Sequence, residues 1–184
     1  MKKYVYFVLV MLAGCSSASN PQPTPSPYAG EQTRTIKALS EEEIASYRSG
    51  EGMGFAMAAE LNHYPGPRHV LELADDLHLT DEQRTQTQQA FDEMQSAAVA
   101  LGEQIIEQEA RLDALFAEGQ AEADAMQDVL QTIGALQADL RFVHLKAHLA
   151  MKNILTDAQV AHYDQVRGYA DAAGVEHDHS QMQH

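Results

Sequence analysis

The chain has 184 residues, 12 basic and 27 acidic side chains, a formal charge of −15 and 45% apolar residues. That length fits one domain. The charge makes nucleic acid a poor partner, because phosphate binding draws on clustered Lys and Arg, and beyond Lys2 and Lys3 the ten remaining basic residues are scattered singly among carboxylates. Cations, basic peptides and neutral apolar segments match such a body better.

At the N-terminus, Lys2 and Lys3 precede an apolar run from Tyr4 to Leu12. The run is too short to span a bilayer, which takes about 20 residues, and it reads as a secretory signal over residues 1–14. It ends in Leu12-Ala13-Gly14-Cys15, the pattern of a bacterial lipobox, in which small residues fit the signal peptidase and the Cys15 thiol takes diacylglycerol. Cleavage removes Lys2 and Lys3 and moves the charge from −15 to −17. Ser16 after the lipidated cysteine directs the expectation to the periplasmic face of the outer membrane. Cys15 is also the only cysteine, so the exported part has no internal disulfide and no thiol nucleophile.

Residues 15–30 carry Pro21, Pro23, Pro25 and Pro27 alternating with polar residues, an extended linker that holds a domain away from a lipid surface. Residues 31–67 read as a transition. Ser40 and Glu43 form a capping box for a short helix through Tyr47, Gly50, Gly52 and Gly54 interrupt it, and a second short helix over Phe55 to Leu61 stops at Tyr64-Pro65-Gly66-Pro67.

After Pro67 there is no further proline, and the core is expected to begin here, as a helical domain over residues 68–169. Arg68 to His78 is amphipathic, with Val70, Leu71, Leu73 and Leu77 available for burial. Thr80 then caps a helix from Asp81 to about Glu118, answered by Gln83 and ended by Gly119. Its seam is Phe91, Met94, Ala98, Leu101, Ile105, Leu112 and Leu115, with Gln108 at the skipped position. Beyond the turn, Met126, Val129, Ile133, Leu136, Leu140, Val143, Ala147, Ala150 and Ile154 repeat the three-four spacing, so the two seams predict an antiparallel helical hairpin. Phe142, Leu145 and Leu149 fall almost opposite the second seam. They need the 68–78 helix, a second subunit or a client to cover them, and a homodimer is the natural expectation.

A second cap, Leu155-Thr156-Asp157-Ala158-Gln159, opens a last helix to about Gly168 and Tyr169. Residues 170–184 are small, polar and histidine-bearing and read as a disordered tail, whose three histidines and Met182 can recruit metal weakly.

Two Leu-Thr-x-x-Gln motifs, Leu79 to Gln83 and Leu155 to Gln159, each opening a helix around an intervening hairpin behind an export signal, resemble the Spy/CpxP family of periplasmic proteins. The resemblance covers about Arg68 to Tyr169. It implies an all-α, cradle-shaped antiparallel dimer that acts in envelope stress, binding unfolded proteins without ATP or regulating a membrane sensor. Related CnrX- and ZraP-type proteins sense or hold metal through His, Met and carboxylate ligands, and the segment Arg141 to Met151 looks like the one that carries such ligands in CnrX-type sensors. The acidity and the lipobox depart from the soluble, more basic Spy pattern.

Three sets of candidate residues follow. His144, His148 and Met151, at i, i+4 and i+7, form one helical stripe beside the seam. Two such imidazoles can chelate Zn, Ni, Co or Cu(II), and the thioether biases towards Cu(I); the alternative is half-exposed residues packed on a neighbouring helix. His69 and Glu72, with Asp76, share a face and can complete such a site or stay solvated. Phe142, Leu145 and Leu149 are the client-binding candidates, set against the alternative of a buried dimer interface. An enzyme has no support: the chain lacks a Gly-rich phosphate loop, a Gly-x-Ser-x-Gly elbow and a His-Glu-x-x-His helix.

Overall fold

The structure, a computed structural model, describes residues 24–170. The signal, Cys15 and the tail from residue 171 lie outside the described residues. Of the described residues, those up to Gln32 fall in one compact unit and those from Thr33 in a second. In the first, Pro27 presets a turn closed by the Ala29 N–H donating to the Ser26 carbonyl.

The second unit is all-α, with no strand among the described residues, as the hydrophobic spacing predicts. Its elements are α1 (Glu41–Ser49), α2 (Met57–Glu60), α3 (Pro67–Glu72), α4 (Asp81–Ala117), α5 (Ala123–Ile154) and α6 (Asp157–Arg167). At 1.5 Å per residue α4 and α5 are rods of about 55 and 48 Å. The short connection through Gly119, at φ 68°, folds them into the expected antiparallel hairpin. No helix among the described residues is long and apolar enough to cross a membrane.

Three capping boxes define the helix starts. Ser40 pairs with Glu43, Thr80 with Gln83 and Thr156 with Gln159, each side-chain oxygen accepting the N–H of the third helical residue while that residue's side chain accepts the cap N–H. The two glutamines do more. Gln83 Nε2 donates to Gln159 Oε1 at 2.9 Å and to the Ile154 carbonyl, and Gln159 Nε2 donates to Gln83 Oε1 at 3.0 Å and to the Leu77 carbonyl. The starts of α4 and α6 are thereby clasped to each other, to the end of α5 and to the chain leaving α3.

Beneath this clasp lies one apolar cluster, in which Val70, Ala74, Leu77 and Leu79 pack with Met151, Leu155, Val160 and Tyr163. A second, towards the middle of the hairpin, joins Ile36, Leu39 and Tyr47 to Ala98, Ile105, Ile106 and Leu140. The core therefore starts at Ile36, not at Arg68. Residues 33–66 are an arm that packs along the hairpin. The close fit explains why: Gly102 lets the backbone of Tyr47 reach α4, and a Cβ at residue 102 would lie 2.3 Å from the Tyr47 carbonyl oxygen. Two further boundaries differ from the sequence reading. The second short helix is confined to Met57–Glu60, and α3 stops at Glu72, the chain continuing to His78 in turns that still bury Ala74 and Leu77. Asp75 and Asp76, poor helix formers, occupy those turns.

Gly102→Ala is expected to lower stability by about 1–3 kcal/mol, since backbone is what the new methyl meets. Gly134→Ala, on an open stretch of α5 with nothing within 4 Å of the added carbon, is expected to raise it by about 0.5–1 kcal/mol. Denaturant unfolding of the two variants tests the arm's docking directly: equal shifts would mean that α1 does not rest on α4 through Gly102.

Candidate functional site

Two faces of α5 hold the candidate residues. The first lies under the arm. His144, His148 and Met151 are 3%, 8% and 0% exposed, so they are buried residues and not a half-exposed stripe beside the seam. For the two histidines the reason is the arm, whose packing on α5 the heptad pattern does not announce, and for Met151 it is α3 and α6.

Met151 sits wholly inside the apolar cluster beneath the clasp, with Val70 and Tyr163. His144 stacks on Phe55, ring centroids 6.0 Å apart at 27°, and its Nε2 is buried without a hydrogen-bond partner. His148 Nδ1 is 2.7 Å from the Tyr64 carbonyl. A carbonyl only accepts, so Nδ1 carries the proton, with Glu60 Oε2 3.6 Å from it, and in the neutral form of the ring the lone pair is on Nε2. That nitrogen faces Gly66, where a Cβ would approach it to 3.1 Å. His144 and His148 line a cavity of about 180 Å³ together with His69, Glu51, Phe91 and Met94. Burial pushes the His144 pKa down, and the neighbouring His148 adds to the shift.

His69 reaches this cavity, but its Nδ1 is engaged by Glu72 Oε2 at 2.8 Å, an exposed contact. Glu72 is not among the residues lining it; the hydrogen bond from His69, opposed by slight burial, holds its carboxyl below the usual range. The structure thus brings His69, His144 and His148 to one cavity and leaves Met151 and Glu72 outside it. Among the described residues no group of three or more His, Cys, Asp or Glu is placed to hold a metal ion.

Glu60, which the sequence does not single out, ties the arm to α6. Its carboxylate accepts from Tyr163 Oη at 2.5 Å, Tyr169 Oη at 3.3 Å and the Gly66 N–H at 3.1 Å, with Arg167 Nε at 3.8 Å. Burial first, then the Glu60 carboxylate, hold the Tyr163 phenol far above its ordinary pKa, so it stays a donor.

The second face looks outward. Phe142 and Leu149 are 61% and 55% exposed, and Leu145 is half-buried between them. Round the helix from them, a shallow trough of about 120 Å³ runs between α4 and α5, lined by Ala90, Met94, Ala97, Val143, Ala147 and Ala150 together with the charged Glu93 and Lys146. Met53, Met57 and Leu61 add exposed apolar surface on the arm, around an open hollow that sequence reading did not anticipate. The signal for it is the Gly52-Met53-Gly54 break, where Met53 and Gly54 take positive φ and the following α2, only Met57–Glu60, leaves Met57 exposed.

Compared with protein-family models, with curated proteins and with solved structures, the chain matches none.

Since the folded state disfavours protonated His144, its contribution to stability is complete above the unfolded value of about 6.5 and is lost as pH falls through the lower folded pKa. Thermal unfolding of the native chain is expected to be insensitive to pH above about 7 and to weaken below 6.5, more steeply than that of His144→Leu. Parallel pH profiles for the two proteins would contradict this assignment.

Proposed function

We propose that this protein is an envelope-stress, ATP-independent chaperone or adaptor that binds unfolded proteins in the periplasm. The observation that carries this reading is the exposure of Phe142 and Leu149 on α5, opposite the side that packs on α4 and on a body of charge −15. Apolar surface held out by a highly charged, soluble scaffold captures unfolded chains while the scaffold resists association with itself. The Leu-Thr-x-x-Gln resemblance to Spy/CpxP proteins supports the same role. The proposal includes tethering through lipidated Cys15 to the periplasmic face of the outer membrane. It also includes a homodimer, for which the small side chains of the α4/α5 trough favour close helix approach, and a membrane sensor as a further candidate partner.

One observation favours a second reading, a periplasmic metal sensor or buffer. His144 Nε2 is buried without a partner in the cavity that His148 and His69 also line. A transition ion such as Zn, Cu, Ni or Co would be held by the His144 and His148 imidazoles alone, an incomplete protein ligand set, and would supply at that point a bond the free nitrogen lacks.

Both readings are separable. In chelator, the full chain is expected to suppress aggregation of an unfolded client, and the Phe142→Ser, Leu149→Ser double variant to lose most of that effect with its helicity unchanged. If the double variant protects as well as the native chain, the outer face of α5 is not the capture surface. The metal reading expects a raised Tm with Zn(II) or Cu(II) that disappears in His144→Ala and persists in Phe142→Ser.

A further inference from the structure

Whole-chain charge points to basic or neutral partners, yet α5 departs from the rest of the molecule. From Leu140 to Thr156 there is no Asp or Glu, the longest such stretch among the described residues. The same stretch contains every cation of α5: Arg141, Lys146 and Lys152. All three are exposed. Elsewhere five cations are matched internally, Lys37 by Asp113, Arg48 by Glu103, Arg68 by Glu72, Arg84 by Asp75 and Arg167 by Glu60, whereas Arg111 of α4 stands singly without an ion pair among the described residues. Among the described residues the three on α5 have no carboxylate within ion-pair distance, and Lys152 instead stands over the Tyr64 ring at 5.4 Å.

Helix geometry sorts these residues onto one arc. At about 100° per residue, Phe142 and Leu149 lie within roughly 20° of each other, Arg141 and Lys152 flank them on the side towards Leu145, and Lys146 flanks them on the other. Packing demands apolar residues at the buried positions of this stretch, but nothing buried requires three cations and no carboxylate on its solvent arc. An apolar ridge edged by unpaired positive charge is complementary to an apolar segment edged by negative charge.

We propose that the outer face of α5 binds amphipathic polypeptide segments whose apolar residues are flanked by Asp or Glu. This rests on the client-binding reading above and names the chemical class of client. A short acidic segment meets only the local positive field, because charges beyond the Debye length of about 8 Å are screened. A broad anionic lipid surface faces the remaining carboxylates as well and is disfavoured.

The test uses the full chain and three labelled peptides that share one apolar core and carry Glu, Gln or Lys flanks, read by fluorescence anisotropy. The Glu-flanked peptide is expected to bind about tenfold more tightly than the Lys-flanked one at low ionic strength, with the ratio shrinking in high salt. The triple variant R141E/K146E/K152E, checked for helicity by circular dichroism, is expected to invert the order; the salt dependence of the native chain is an independent readout should that variant misfold. Equal affinity for all three peptides overturns the proposal and leaves the client-binding reading standing. No binding of any peptide overturns both. Stronger binding to vesicles rich in anionic lipid than to the Glu-flanked peptide also overturns it and assigns the face to a membrane surface.

Discussion

The reciprocal amide pair of Gln83 and Gln159 sets the geometry on which the remaining contacts rest. Each Oε1 accepts from the N–H of its own helix cap and from the other glutamine, and each Nε2 donates to the other glutamine and to a backbone carbonyl. Every donor and acceptor of the two amides is used. A capping box alone accepts Glu as readily as Gln, so local helix initiation gives no reason for glutamine at both sites. The cross pair does. Two glutamates would set carboxylates against each other and leave the Ile154 and Leu77 carbonyls without those donors, in a partly buried place where unmade bonds are costly. The Leu-Thr-x-x-Gln motif is therefore a device for joining two helix starts as well as for beginning each one.

With those ends fixed, Met151 and Leu155 at the end of α5 meet Leu77 and Leu79 in front of α4, and Tyr163 of α6 closes over them. The arm is then located twice, by the Tyr47 backbone on Gly102 and by Glu60 in the hydroxyls of Tyr163 and Tyr169. The two anchors differ in kind. The first is steric fit around apolar burial, and the second a carboxylate whose desolvation is offset by hydrogen bonds.

Much of this was legible in the amino-acid order. The three-four spacing of Val129, Ile133, Leu136 and Leu140 leaves no alternative to a long helix facing a partner, and Thr80 and Thr156 mark their helix starts because a cap is a local interaction. The arm was not legible, since Ile36, Leu39, Ile44 and Tyr47 are too few and too unevenly spaced to show a period, and Gly50, Gly52 and Gly54 cut the pattern off after them. For the same reason the sequence leaves His144 and His148 on the edge of the wheel: their burial is decided by a segment about 80 residues earlier in the chain, as the His148–Tyr64 bond shows. The clasp was half legible, its capping role visible and its long-range role hidden.

The placement of candidate residues on α5 bears on how its two proposed roles relate. Phe142 and His144 are two positions apart, which on an α-helix turns them about 200° from each other. One lies in solvent and the other against Phe55 beneath the arm. A ligand reaching the histidines and a polypeptide resting on Phe142 therefore do not compete for space, and neither touches the residues the other uses. Coupling between them requires a change in α5 itself, or in the arm that meets both Lys152 through Tyr64 and His148 through the Tyr64 carbonyl. Tyr64 is the one residue that contacts α5 on both counts. Its ring borders the basic flank of the outer face and its carbonyl fixes the His148 tautomer. A displacement of Tyr64 changes the two faces together, whereas a change confined to either face leaves the other as it was.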